Sequence, residues 1–279
     1  MYKKYFKKLI HKTFLYILMI AGGIVFLLPL LWMLSTSLKP PSQVFVFPPS
    51  WIPNPIRLSN YIEGWTILPF TLFLRNTIII TGLNVIGNLL SCSLAAFGFA
   101  RLRARTSNFL FILCLATIMI PYQVIIIPQF ILFKSLNWID TFKPLIIPAW
   151  LGWPFFIFIL RQFFMTIPFE LDDAARIDGC SSFRIYWNIV LSLSKPALAT
   201  IAVFAFVGNW NNFMGPLIYL SSQEKFTLAL GLRLFQGQFS LQMHLLMAVS
   251  MLNVLPLIAI FFFAQRYFVR GITLTGIKD

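Results

Sequence analysis

The sequence predicts an all-α polytopic membrane protein with six spanning helices. Three observations carry this: a composition that water does not favour, six apolar runs of spanning length, and basic residues gathered on alternate connections. Of 279 residues, 59% are apolar, 17% aromatic and 11% charged. Soluble domains carry about 45–50% apolar and about 25% charged residues. With 31 Phe and 8 Trp, the chain needs lipid around it. This excludes an ordinary soluble enzyme and a disordered chain. The net charge of +14 could suggest nucleic acid. The basic residues, however, lie in short clusters between apolar runs, as in Arg101, Arg103 and Arg105. That is the pattern of membrane loops, and no nucleic-acid partner is expected.

The first run, 14–34, follows a basic stretch over 1–13 that holds Lys3, Lys4, Lys7, Lys8 and Lys12. It is longer than a signal-peptide core and no A-x-A follows it, so it reads as an uncleaved span. Five further runs cover 72–99, 108–132, 144–164, 196–220 and 245–268. Prolines within or beside them, such as Pro128, Pro148 and Pro256, are tolerated where neighbouring helices satisfy the freed backbone groups. Six spans put both termini on one side. Fifteen of the 22 basic residues fall on that side, so both termini are expected in the cytoplasm.

Two connections are long on the outside. Residues 37–71 are rich in proline and aromatics, which excludes a helix through most of the segment and predicts packing rather than a free linker. Residues 221–244 form a second external loop. Inside, 165–195 carries half of the eight acids.

The inner loop begins Thr166-Ile-Pro-Phe-Glu-Leu-Asp-Asp-Ala-Ala-Arg-Ile-Asp-Gly179. Thr166 is a candidate helix cap with Pro168 in the first turn. Glu170, Asp172 and Asp173 suit a helix N-terminus. Gly179 can end the helix in the left-handed region, with Asp178 before it. Ser181 or Ser182 can cap a second helix, on which Phe183, Trp187 and Val190 share a face at helical spacing. An amphipathic hairpin at the lipid surface is one reading. An interfacial helix, however, should be basic on its polar face, and this one is acidic. Docking onto a protein fits better, with Ala174 and Ala175 allowing close approach.

The segment PFELDDAARIDGCSSFRIYWNIVLSLSKPAL resembles the EAA loop of ABC-importer permeases. The match runs through Asp173-Ala174-Ala175, Gly179 and Ile189-Val190-Leu191-Ser192. Asp173 stands where the family has Glu. Ser192 stands where it has Pro, so the second helix is expected to run more smoothly into span five. AAFGFARLR, IPYQVIIIP, NWNNFMGPLIYL and QRYFVRGITLTGIKD are similar to carbohydrate-importer permeases of the maltose-transporter type, in the same order. The resemblance therefore implies a single transmembrane domain over 1–279, type I permease-like. It implies that Glu170, Asp172, Asp173, Ala174, Ala175, Asp178 and Gly179 couple to an ATPase. It also implies a second homologous permease subunit, two ATPase subunits and an extracellular carbohydrate-binding protein, which Gln236, Gly237 and Gln238 would face. The expected location is the bacterial cytoplasmic membrane. The chain has no G-x-x-x-x-G-K, so ATP and Mg belong to the partner ATPases and no cofactor is expected here.

Polar residues inside spans are costly and often functional. Asn209, Trp210, Asn211, Asn212 and Asn253 are candidates for a sugar path, with amides for hydroxyls and an indole face for a ring. Asn84, Asn88 and Gln123 are further candidates, and helix packing is the competing role for all of them. No acid lies inside a span, which argues against an ion-coupled secondary transporter. No paired acids, metal spacing or Ser-His pair supports an enzyme, and His11 and His244 are far apart. A permease for another polyol, such as glycerol phosphate, remains the alternative substrate reading.

Overall fold

The computed structural model describes the backbone of residues 2–102, 104–238 and 242–273, and side-chain surroundings over 11–102, 104–235 and 242–265. Among the described residues the regular structure is helical. Among these residues four helices are long and apolar enough to cross a membrane, or up to six spans if each of two bent helix pairs is one span.

The chain forms two compact units. The first joins 1–68 to 232–254. It contains α1 (Tyr2–Ser37) and α2 (Ser59–Ile67). The 37–71 connection is thus not irregular throughout: α2 lies between Pro55 and Pro69, where no proline restricts φ. Its base is tied down by polar contacts. The Asn60 side chain donates to the carbonyls of Ser37 and Lys39 at 2.8 and 2.9 Å, and Gln43 bonds Asn54. Phe47 and Ile52 stay exposed, so the expected packing holds at the base of the loop and not at its tip.

The second unit covers 69–231 and 255–279. Its axis is α3 (Phe70–Arg101), 32 residues without an internal proline. Around α3 pack α6 (Lys143–Trp150), α7 (Pro154–Met165) and α11 (Lys195–Trp210). Gly87 explains how α6 comes so near: a Cβ there would lie 2.7 Å from the Trp150 ring.

Three expected spans are broken. In the first, 144–164, α6 and α7 are separated by an interruption at 151–153. The run 108–132 is α4 (Ser107–Ala116), a 3-10 turn, then α5 (Tyr122–Ser135), bent by 98°. Pro121 removes the N–H that would continue the ladder. The run 196–220 is not one helix either. Here α11 stops at Trp210, and α12 (Met214–Tyr219) begins after an unwound Asn211–Phe213. Irregular backbone at such depth is tolerated where it lines a cavity or lies within protein. The 221–244 segment likewise contains α13 (Leu228–Gln238) before the last helix, α14 (Met243–Thr273).

Candidate functional site: a docking loop and an amide-lined cavity

The 165–195 connection holds α8 (Glu170–Ile177), α9 (Ser182–Ile185), a π-helical turn (Tyr186–Val190) and α10 (Leu191–Leu193). Thr166 does not cap α8. Its hydroxyl donates to the Phe163 carbonyl at 2.7 Å, so it closes α7 instead. The acids of the first turn face the N-terminal dipole of α8 without a side-chain cap. The C-terminus is as the sequence predicts: Gly179 has φ +77°. Gly179 N–H donates to Arg176 O at 3.0 Å and Cys180 N–H to Ala175 O at 2.9 Å, which is a Schellman closure. Ser181 caps α9 by accepting from Arg184 N–H at 3.4 Å.

The helical period of α8 splits the candidate coupling residues into two faces. Glu170, Asp173, Ala174, Ile177 and Asp178 are exposed, whereas Asp172 and Ala175 are buried. Asp172 therefore lies on the inward face of α8. It meets Arg101 at the end of α3, with Nη1 and Oδ2 3.5 Å apart. Arg101 Nη2 donates to the carbonyls of Phe164 and Ile167 at 2.6 and 2.7 Å, and its guanidinium lies 4.3 Å over the Phe169 ring. Sequence reasoning placed Arg101 among solvated loop charges; the structure buries it.

The second helix also departs from expectation. Phe183 and Trp187 are exposed and stacked at 6.3 Å, while Val190 is fully buried. The π turn adds a residue to the helical cycle and rotates Val190 off their face. Tyr186, on the inner side, bonds Ser93 at 2.7 Å and packs on Phe97. Ser192 does not smooth the passage to α11. The chain bends by 80° between Leu193 and Lys195, with Pro196 in the first turn of α11.

The same unit holds a cavity of about 440 Å³, within the about 300–1,000 Å³ usual for small-molecule sites. Asn84, Asn88, Gln129, Asn209 and Asn212 line it, with Tyr122, Trp153, Phe156, Phe204 and Tyr219. Among the described residues, none that lines it is charged. Asn84 donates to Leu145 O at 2.9 Å and to Asn209 Oδ1 at 2.5 Å, and Asn209 donates to Ala205 O at 2.7 Å. Both carbonyls demand amide N–H groups, so the orientation of the pair is fixed. Asn84 Oδ1 is then buried without a hydrogen-bond donor. Asn212 accepts from Gly215 N–H at 3.1 Å across the unwound segment.

The remaining candidates fall elsewhere. Trp210 is buried and stacked on Phe206 at 5.1 Å, so it offers no face to a ligand. Asn211 is exposed and donates to Val207 O at 3.0 Å. Asn253, half-buried on α14, and exposed Gln123 are not among the lining residues. Gln236, Gly237 and Gln238 continue the backbone of α13, but their side chains lie outside the described residues. Gly208 also lines the cavity, and a Cβ there would meet nothing within 4 Å. Sequence reasoning missed Gln129, although it lies six residues after Gln123 and next to Pro128. It is held by the Tyr219 hydroxyl at 3.1 Å.

Residues 87–274 match the family model described as "Binding-protein-dependent transport system inner membrane component". The chain belongs to this family. Membership carries the multi-pass membrane assignment and the transport role. The chain is 34% identical over 258 residues to the arabinooligosaccharides transport system permease protein AraQ of Halalkalibacterium halodurans, covering 90% of each chain. It is 32% identical to the sn-glycerol-3-phosphate transport system permease protein UgpE of Yersinia enterocolitica, covering 93% of this chain and 95% of that one. A crystal structure of a bacterial ABC transporter that imports the acidic polysaccharide alginate contains a chain of the same fold. Its TM-score is 0.83 at 23% identity, over 93% of this chain and 96% of that one.

Proposed function

We infer that the chain is one transmembrane permease subunit of an ATP-driven carbohydrate importer of the bacterial cytoplasmic membrane. The observation that carries this is the link between an exposed acidic and small-residue docking face and the helix that lines the cavity. Glu170, Asp173 and Ala174 face outward from α8, and its inner face is tied to α3, which presents Asn84 and Asn88 to the cavity. Two ATPase subunits would supply ATP and Mg, and one would dock on the 165–195 loop from the cytoplasm. A second, homologous permease would complete the path, and an extracellular carbohydrate-binding protein would deliver substrate. An alginate importer in complex with a periplasmic protein carrying an alginate pentasaccharide has a chain of similar fold, with a TM-score of 0.69.

The cavity fits a neutral carbohydrate. Amides donate to and accept from hydroxyls, and aromatic walls cover the apolar faces of a ring. An anion such as glycerol phosphate would need a cation in a low-dielectric path, and none of the described residues puts one on the cavity wall. Purifying the tagged chain from its host tests the assignment. An importer subunit brings an ATPase and a homologous six-span partner, and uptake requires ATP; a secondary transporter purifies alone and follows an ion gradient. Mass spectrometry of ligand carried by the binding protein separates neutral sugar from phosphorylated polyol.

A further inference from the structure

We propose that Arg101 and Asp172 form a buried latch that transmits movement of the docking helix α8 into α3, and so to the cavity. This rests on the permease reading above. The pair draws the end of α3, the end of α7 and the start of α8 onto one guanidinium. Charge joins Arg101 to Asp172 on α8. Two hydrogen bonds join it to the last carbonyls around the end of α7, where a cation is favoured. The Phe169 ring covers its face. Both side chains are excluded from solvent, at 0% and 1% exposure, so their attraction is little screened. Arg101 Nε and Nη1 and both Asp172 oxygens carry no hydrogen bond. The pair holds by charge rather than by a fork-to-fork geometry, and resists separation without fixing orientation.

A second tie lies eight residues earlier on α3, about two helical turns away. There Ser93 bonds Tyr186 at 2.7 Å. The loop therefore grips one face of α3 at two heights. From Arg101 the helix runs unbroken to Asn88 and Asn84, roughly 20 and roughly 25 Å away at helical rise. A rod held at one end by a buried charge carries displacement along its length, and the two amides at its middle line the cavity.

The test uses the complete importer in proteoliposomes with its binding protein. Asp172→Asn keeps the shape and removes the charge. With membrane abundance and ATPase retention at native levels, substrate imported per ATP hydrolysed should fall by roughly fivefold or more, the usual size of a coupling effect. A mere structural staple would lower abundance, retention and uptake together and leave that ratio unchanged; such a result overturns the latch. Should Asp172→Asn fail to accumulate, spin labels decide the matter without touching the pair. They are placed at Leu171, which is exposed at the side of the docking face, and at exposed Leu94, with Cys92, Cys114 and Cys180 replaced by Ser. An α8-to-α3 separation that is the same with and without ATP supports the latch, and one that changes overturns it. A native complex without ATP-driven uptake would sink the permease reading and the latch with it. That result is distinct from a native complex and a variant that couple equally well.

Discussion

The docking loop and the cavity belong to the same compact unit and treat polar groups in opposite ways. The loop buries full charges and closes its helix with a glycine at φ +77°. Among the described residues the cavity wall holds no charge; it spreads five amides over several helices, and the helix beside it is interrupted. A buried ion pair is costly to break, which suits a part that must keep its shape under load. Neutral amides exchange partners for about 1 kcal/mol each, which suits a surface that must bind a hydroxyl and then release it. Coupling thus calls for fixed geometry, and passage calls for contacts that are individually weak.

If this contrast holds, substitutions on the loop should have the largest effects and should act on coupling. Ala174 is exposed on α8. Ala174→Trp adds bulk to the docking face without disturbing the buried side, so the ATPase should be lost from the detergent-solubilised complex and uptake abolished at native membrane abundance. Gly179→Val should come next. A Cβ at Gly179 meets nothing within 4 Å, so the cost is backbone strain alone, roughly 1–2 kcal/mol for a left-handed residue. Uptake should fall by about tenfold while the protein stays in the membrane. Gly179→Asn should be milder, since Asn tolerates that region. Equal uptake by Gly179→Val and native protein would break the contrast, because the loop's fixed angle would then not matter.

Cavity substitutions should act on transport and be smaller. Asn209→Leu removes the acceptor for Asn84 and the donor to Ala205 O. Asn212→Leu removes the bond to Gly215 N–H. Each should lower uptake by roughly three- to tenfold, at about 1 kcal/mol per lost bond, while ATP hydrolysis stimulated by the binding protein persists. Loss of stimulated hydrolysis in either variant would mean that the cavity amides hold the coupling geometry as well.

The two regions also differed in how far the sequence disclosed them. The loop is local. Gly179, Ser181 and the acids sit within thirteen residues, and cap chemistry acts over one or two turns, so ends and sign of charge were readable. Yet Thr166 was bound by α7 instead, because a side-chain oxygen three residues past a carbonyl can close the preceding helix as well as open the next. Asp172 and Ala175, three residues apart, share the inward face of α8. That period was visible, and it would have separated Asp172 from exposed Asp173 and Glu170. The cavity is not local. Its wall comes from residues between 84 and 219. Within the apolar run 196–220, Asn211, Asn212 and the Gly215-Pro216 pair mark a break close to where α11 stops at Trp210, but the apolar length of the run outweighed them in the reading of one continuous span. An aromatic beside three amides looked like a sugar platform, but Trp210 had been claimed by packing on Phe206.

A smaller effect separates the cavity from the periphery of the same unit. The Asp140 carboxylate accepts from Ser221 N–H, Ser222 N–H and Lys225 Nζ, the last at 2.8 Å. Lys225 and the serine donors hold its pKa well below the ordinary carboxylate value. A depressed pKa gives stability that is present above the unfolded value of about 3.9 and lost as pH falls toward the folded one. Both partners are part-exposed, so solvent screens the pair and the gain is modest. Asp140→Asn should lower the thermal midpoint at pH 7 by a few degrees. The gap to native protein should narrow as pH drops below about 4. A gap that stays constant over that range would mean that the carboxylate charge contributes nothing.

The smallest effect expected is at Asn211, and it is the sharpest check on which amides matter. Asn211 and Asn212 are adjacent, both follow the end of α11, and a sequence alone treats them alike. The structure separates them. Asn212 lines the cavity and holds Gly215. Asn211 is exposed, and its Nδ2 donates one turn back to Val207 O at 3.0 Å. That carbonyl also receives the Asn211 backbone N–H at 3.2 Å, so loss of the side-chain donor leaves it satisfied. Asn211→Leu should therefore change uptake by less than about twofold, since a satisfied acceptor incurs no desolvation penalty. Uptake assays on Asn211→Leu and Asn212→Leu at matched membrane abundance make the comparison. A larger loss at Asn211 than at Asn212 would move the sugar path out of the cavity and onto the outer face of the unwound segment.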